Sequence, residues 1–457
     1  MPSRPSKYSE VELRVDSLAF GGRGVARLDD FVLFVDRALP GDLVRARVTK
    51  VKRRYGEAKV LETIERGPDR VPAPCPHFGS CGGCRWQDLD YPVQLRHKAV
   101  QVRDAIERIG HQHEVELDGI VPADRTYAYR NKLEYSWTDG PDGPSTGFHR
   151  AGRWDEVLPI DVCLLTDEPG NEARRAVESW ARRHGLRGYD RRAHEGFLRL
   201  LVVRSSDRTG ELLLTLVTTS DQPLPDVAGL EEELRRRAPG VVGLLHAVAD
   251  GEGESAAGLE TRVLFGRDWY EERLLDLRLR VSAGSFLQTN TEMCERLYEL
   301  AIEEAGLAGD EVVWDLYSGV GSIALAMARH AGEVYGIEVV EEAVLRAVEN
   351  AELNGVENAT FIAGDVAKAV RPLLDGGVPS PDVVVVDPPR AGLTPKAVRR
   401  LLELEPRRIV YVSCNPTTLA GNAELLTEGG YRLRRVRAVD MFPHTAHVEC
   451  VARFEAA

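Results

Sequence analysis

Val312-Val313-Trp314-Asp315-Leu316-Tyr317-Ser318-Gly319-Val320-Gly321-Ser322 is the stretch whose reading decides the fold. An apolar strand, Val312–Leu316, runs into a turn with glycines at 319 and 321, and a helix is expected over 321–330. Glycine lets the backbone come close to a ligand at a helix N-terminus. The next strand, Val334–Ile337, leads to Glu338, a carboxylate placed to accept hydrogen bonds from ribose hydroxyls. A strict dinucleotide fingerprint would carry a third glycine, but position 324 is Ala.

Outward from this turn the pattern is regular. A helix over 290–305 precedes it. Helix 341–353, strand Thr360–Ile362, strand Val383–Val386, helix 395–403, strand Ile409–Val412 and helix 417–428 follow, then a strand pair near 431–439 and 447–454. Alternating units of this length predict a doubly wound parallel α/β sheet, with ligands at the carboxyl ends of its strands. Asp315 opens the turn four residues before Gly319, as in sheets that bind S-adenosylmethionine. Taken alone, the turn leaves that cofactor, another nucleotide or a structural role open.

Two motifs fall on the same predicted rim, and an isolated carboxylate lies downstream. Asp387-Pro388-Pro389-Arg390 ends strand Val383–Val386. Amine methyltransferases place an aromatic residue after the two prolines, so Arg390 argues against amine methylation. Ser413-Cys414-Asn415-Pro416 ends the next strand. Most cysteines are small buried residues, the role expected of Cys294 and Cys450, but Asn415 and Pro416 break the strand and leave Cys414 at the crevice. A thiolate that adds to C6 of uracil makes C5 nucleophilic, and a base must then remove the C5 proton. Glu449, in His447-Val448-Glu449-Cys450-Val451, is the carboxylate assigned to that step, against the alternative of an exposed strand residue.

Upstream, residues 1–66 read as short strands (Val11–Val15, Phe31–Val35, Leu43–Val51, Tyr55–Ile64) broken by glycine and proline turns. A small β-barrel of the TRAM or OB type is expected, a shape that binds single-stranded nucleic acid. This segment holds fourteen Lys/Arg against ten Asp/Glu, whereas the whole chain has a formal net charge of -13. Arg45 to Tyr55 forms a basic strip, read either as a solvated strand or as a phosphate-contacting face. Cys75-x5-Cys81-Gly-Gly-Cys84 follows in a Pro/Gly loop, with Cys163 as a fourth thiol further on. Zinc sites usually show two CxxC knuckles, so a [4Fe-4S] cluster is the preferred reading and zinc the alternative. Residues 67–268 are expected to form a central α+β domain carrying this loop, with helix 92–110 packing on the catalytic domain at 269–457.

The length of 457 residues exceeds a single core. No run approaches the roughly 18 apolar residues of a membrane span, and the N-terminus MPSRPSKYSE lacks an apolar signal core. A cytoplasmic monomer that does not touch membranes is expected, and disulfides are not.

Together these motifs resemble the RNA uracil-5-methyltransferase family, in its iron–sulfur 23S rRNA branch with a TRAM domain. The resemblance runs from about Tyr8 to Phe454 and adds Tyr129-Arg130-Asn131-Lys132, Gly147-Phe148-His149-Arg150 and Phe286-Leu287-Gln288-Thr289-Asn290. It implies that Cys414 is the nucleophile and Glu449 the base. It implies S-adenosylmethionine near Gln288, Tyr317, Gly319, Gly321, Ser322, Glu338, Asp365 and Asp387, and a cluster on Cys75, Cys81, Cys84 and Cys163. It also implies an RNA partner, rRNA ahead of tRNA. Ser318 departs from the family, which often carries Cys there. A cytosine-5 methyltransferase would carry a second cysteine after Asp-x-Pro, where this chain has Arg390. The rival from another class is a non-catalytic RNA-binding protein.

Overall fold

The computed structural model describes residues 4–253 and 255–457. The N-terminal strands β1 (Glu10–Leu18), β2 (Gly24–Leu28), β3 (Phe31–Asp36), β4 (Leu43–Val51) and β5 (Tyr55–Glu65) close into a barrel in the order β1-β2-β3-β5-β4. Alternate residues of β3 point inward, and Leu13, Val15, Leu33, Val35, Val44 and Ala46 fill the interior. The basic strip on β4 is not a bare cationic face. Arg45, Arg47 and Lys50 pair with Glu62, Glu10 and Glu57 on the neighbouring strands.

Helix α1 (Tyr91–Arg108) and strand β6 (Glu116–Val121) come next, and both join the C-terminal core. Val102, Ala105 and Ile106 of α1 are buried there, at roughly 1.5–3 kcal/mol for each large side chain. A seven-stranded sheet then forms from β7 (Lys132–Gly140), β8 (Gly143–His149), β9 (Val157–Pro159), β10 (Leu198–Ser205), β11 (Leu212–Thr218), β12 (Val241–Val248) and β13 (Thr261–Gly266). Every residue of β10 and β11 is buried. Helices α2 (Glu168–Arg183) and α3 (Val227–Arg237) cover one face through Val177, Trp180, Leu230 and Leu234.

A hairpin, β14 (Trp269–Leu274) with β15 (Leu277–Ser282), leads into the C-terminal sheet. There α4 (Thr291–Ala305), β16 (Val312–Leu316), α5 (Ser322–Ala328), β17 (Glu333–Glu338), α6 (Glu341–Asn354), β18 (Ala359–Ala363), α7 (Val366–Asp375), β19 (Val383–Val386), α8 (Pro395–Leu402), β20 (Arg408–Ser413) and α9 (Pro416–Glu428) alternate. The chain ends in β21 (Tyr431–Val439) and β22 (Glu449–Ala456). The strand order is β18-β17-β16-β19-β20-β22-β21-β6. The strands from β18 to β20 are mutually parallel and β22 runs antiparallel to β20. The four valines of β19 are buried on both faces, as a central parallel strand requires.

The observed class is therefore the expected one, a barrel plus a doubly wound α/β sheet. Several elements escape the sequence reading, among them β6 to β9, β13 to β15, β2, α2 and α7. β2 is short and begins at a glycine, α7 carries an internal proline at Pro372, and α2 lies in a stretch without a visible chemistry.

Candidate active site

Five adjacent strands deliver their ends to one rim. β17 ends at Glu338, β16 runs into the glycine turn, β19 ends just before Asp387 and β20 just before Cys414. Antiparallel β22 starts at Glu449 on that same edge. Register makes the last pair meet. Ser413 lies opposite Cys450, so Cys414 and Glu449, next along each chain, come close enough for the Glu449 charge to act on the thiol. A strand shift of one residue would turn either side chain to the other face of the sheet.

The rim has two halves. On one side Tyr317, with φ 77, and Gly319, with φ 54, turn the chain through the left-handed region. Gly319 donates its amide to Glu338 Oε2 at 3.0 Å, and Val340 donates to Glu338 Oε1 at 2.9 Å. The two glycines differ in purpose. A Cβ on Gly319 would meet nothing nearer than the Phe286 carbonyl at 3.8 Å, so this backbone is open to a ligand. A Cβ on Gly321 would strike Phe361 at 2.8 Å, so Gly321 serves helix–sheet packing. Ser322 opens α5 and shares a hydrogen bond of 2.7 Å with the Tyr298 hydroxyl. Asp365, the N-cap position of α7, is near enough to Tyr317 for its charge to add to the rise that burial causes in that phenol. Beneath the turn Asp315 is fully buried, and burial, then the Asp387 charge, push its carboxyl up to about 8. Ser318 Oγ has no hydrogen-bond partner, and the Asp315 carboxyl has only the Ala324 amide near it, short of normal hydrogen-bond geometry. Unspent buried acceptors beside an open glycine turn suit a ligand with hydroxyl and ammonium donors.

On the other side Gln288 donates from Nε2 to Asp387 Oδ2 at 3.3 Å. Burial still holds the Asp387 carboxyl up at about 6. Glu449 is 1% exposed, and its Oε2 has no hydrogen-bond partner. Burial, then Asp387, push its carboxyl well above the ordinary range, and Arg390 opposes the rise. The Cys414 thiol is pushed up to about 11 by burial, then by Glu449 and Asp387, again against Arg390. His447 is held neutral, down at about 4, by burial and then by Arg390. Arg390 is thus the cation common to this cluster. Its backbone carbonyl accepts from Asn415 Nδ2 at 3.3 Å, which ties it to the turn that carries Cys414.

The central unit holds the rim in place. Asn131 Nδ2 donates to the Gln288 carbonyl at 3.0 Å, and the Tyr129 hydroxyl donates to the Pro443 carbonyl at 3.0 Å. The amides of Arg85 and Trp86, directly after the cysteine loop, both donate to the His444 carbonyl, at 2.9 and 3.0 Å. Lys98 of α1 is completely buried and donates to Asp440 Oδ1 at 2.5 Å and to the Phe442 carbonyl at 3.0 Å. The segment 440–447 that leads into Glu449 is therefore clamped by residues from 85 to 131. No motif announced Lys98 or Asp440; an apolar helix face interrupted by one lysine was the available signal.

Cys75, Cys81, Cys84 and Cys163 come together elsewhere and line one cavity of about 60 Å³ with Phe78, Phe148 and Leu165. Burial pushes Cys84 up to about 12; the neighbouring thiolates add to the rise and Gln87 acts the other way. Among the described residues, no group of three or more His, Cys, Asp or Glu has the spacing to hold a metal ion. The metal expectation thus goes unsupported by a formed ligand set, although the four thiols share one cavity.

Comparison with known proteins agrees with this geometry. The tRNA (Uracil-5-)-methyltransferase family matches residues 256–456, and the TRAM domain matches residues 7–61. The chain is 40% identical to an RNA methyltransferase of Halalkalibacterium halodurans, described as uncharacterized, over 98% of both chains. It is 41% identical to one of Caldanaerobacter subterraneus, over 98% of this chain and 99% of that one. Among solved structures it resembles the Pyrococcus abyssi tRNA (uracil-54, C5)-methyltransferase in complex with S-adenosyl-L-homocysteine. That match has 30% identity and a TM-score of 0.78, over 97% of this chain and 99% of the other. A matching barrel, a matching catalytic sheet and relatives that align end to end leave one assignment: the chain belongs to the tRNA (uracil-5-)-methyltransferase family of RNA methyltransferases.

Proposed function

We propose that this protein methylates C5 of a uridine in RNA through a covalent intermediate on Cys414. The observation that carries the reading is the cross-strand proximity of Cys414 and Glu449 beside an acidic, glycine-lined cradle. S-adenosylmethionine, held there by Gln288, Tyr317, Gly319, Gly321, Ser322, Glu338, Asp365 and Asp387, would supply an electrophilic methyl group. Glu338 would take the ribose hydroxyls. The Asp315 and Ser318 acceptors would gain donors through the bound ligand and its water.

The chain's own residues act at the two ends of the reaction. Cys414 Sγ, as thiolate, bonds to C6 of the uracil and drives electron density towards O4 and C5, which makes C5 nucleophilic. Once C5 carries the methyl group, its proton leaves to Glu449. The C5–C6 double bond re-forms and the C6–S bond breaks. A carboxyl that burial pushes upward holds a proton more firmly than an ordinary one, as this base needs. Arg390 favours the ionised forms of Cys414 and Glu449 before substrate arrives.

The four cysteines are proposed to hold a [4Fe-4S] cluster. Four thiols on one cavity fit the four-thiolate ligation of such a cluster, and zinc is the alternative. The cluster would tie the loop at Cys75–Cys84 to Cys163; methylation at C5 has no net redox step for it to serve. Anaerobic, iron-replete protein is expected to carry about four irons per chain, and stoichiometric zinc would refute this.

Ribosomal RNA of the 23S class is proposed as substrate, from the resemblance to the four-cysteine branch. A tRNA uridine is the second reading, favoured by the likeness to the Pyrococcus abyssi tRNA enzyme. Incubation of the protein and S-adenosylmethionine with 23S rRNA or tRNA transcripts, followed by nucleoside mass spectrometry, tests both. The absence of 5-methyluridine from both would refute the function.

A further inference from the structure

A groove of about 880 Å³ runs between the barrel, the cysteine loop and the turn at residues 150–154. Five arginines and two aspartates line it, on a chain whose formal net charge is -13. Trp154 stands on its edge, 70% exposed, at the end of a tight turn in which Arg153 N donates to the Arg150 carbonyl at 2.8 Å. Gly152 takes a positive φ of 77 in that turn, and a Cβ there would meet nothing within 4 Å. Arg150 and Arg153 lean on Glu156 and Asp155 at the groove's outer edge. Arg37 donates to the Ala151 carbonyl across the groove and pairs with no carboxylate among the described residues. The wall is firmly built: Gly82 N donates to the His149 carbonyl at 2.9 Å and Ala151 N to the Ser80 carbonyl at 2.9 Å.

Resting on the RNA-methylation reading above, we propose that this groove binds a single-stranded RNA segment flanking the target uridine. One base stacks on Trp154, and phosphates lie along Arg37, Arg85, Arg150 and Arg153. Two facts favour this place over the outer strip of β4. The first is the aromatic: the strip's Tyr55 is half-buried against Phe34, whereas Trp154 stands exposed on the groove's edge. The groove also reaches the reacting end of the molecule. Gly22, on its wall, lies so close to Ala446 that a Cβ would meet that side chain at 2.9 Å. Arg85, also on the wall, donates its amide to the carbonyl of His444, in the segment that leads to Glu449. An aromatic face with arginines along one track is the arrangement that takes unpaired bases with little regard to their identity.

The test uses full-length protein and fluorescently labelled RNA that the wild type methylates, in anisotropy titrations over a salt series. Trp154→Ala is expected to weaken binding about tenfold or more, with the loss seen in KM, and Trp154→Phe to restore most of it. Arg37→Gln with Arg153→Gln is expected to lower the slope of log K against log salt by about 0.7 for each phosphate left without its arginine. Trimming the single-stranded flank from the RNA should abolish the difference between Trp154→Ala and wild type. Trp154→Ala and the arginine variants binding the intact RNA with wild-type affinity and slope would overturn the proposal, even with methylation intact. A wild type that neither binds nor methylates RNA would overturn the functional reading itself. Loss of an acidic protein partner, with RNA binding unchanged, would assign the groove to that partner and refute the RNA segment.

Discussion

Replacing Glu449 by Gln separates the two halves of the proposed reaction. The change is isosteric in a site that is 1% exposed, so the strand register that sets Ser413 opposite Cys450 should persist. Gln cannot accept the C5 proton, whereas Cys414 can still add to C6. Loss of a general base costs about 10²–10⁴ in rate, equivalent to roughly 3–5 kcal/mol on the barrier. Release of the thiolate waits on that proton, so methylated RNA should remain attached to Cys414. Denaturing gels with radiolabelled S-adenosylmethionine should show a slow protein–RNA band for Glu449→Gln and none for Cys414→Ala. A second effect follows from the charges at the rim. Glu449 is the charged neighbour that contributes most to the rise at Cys414, so in the free protein Glu449→Gln should make that thiol easier to alkylate. Turnover of Glu449→Gln at the wild-type rate, with no retained RNA, would refute the assignment and turn attention to His447.

Three further outcomes follow. A thiol held at about 11 should show a Cys414 alkylation rate, read by peptide mass spectrometry, that climbs about tenfold per pH unit from 7 to 10; a plateau below pH 9 would contradict it. Asp315 is pushed from the ordinary range up to about 8 in the folded protein, so its ionisation opposes folding and its cost grows as pH rises from about 4 to about 8. Asp315→Asn should therefore raise the melting temperature at pH 8 but not at pH 4, while weakening cofactor binding by calorimetry. Lys98→Met leaves Asp440 charged and alone in a dry site, at a cost of about 3–5 kcal/mol; adding Asp440→Leu should recover most of it in urea titrations, and a loss below about 1 kcal/mol for the single change would contradict the burial argument.

What could be read from the sequence was what is local. β16 and β19 end where their apolar runs end, because glycine, proline and polar residues stop them. Cys414 and Glu449 were visible as motifs beside strand ends. Their proximity was not visible, since it depends on an antiparallel register between strands separated by α9 and β21. Part of the basic strip is neutralised for a related reason, while Lys52, Arg53 and Arg54 stay exposed. Its neutralising partners Glu10 and Glu62 lie on other strands, so only the closed barrel brings them into range. The two glycines of the cofactor turn look alike in sequence, and only Phe361, contributed by β18, distinguishes their roles.

The edge of the C-terminal sheet carries a further consequence, one of timing. β6 is made early, yet its partner strand β21 ends at Val439, more than three hundred residues later. At roughly 5–20 residues per second of synthesis, β6 waits on the order of 15–60 s for that partner. During this interval an unpaired strand edge and the apolar face of α1 stand open to other chains. The nascent protein thus carries its own aggregation risk in the middle of translation. A ribosome-bound chaperone, or a slower arrival of competing chains, would matter more for its yield than the stability of the finished sheet.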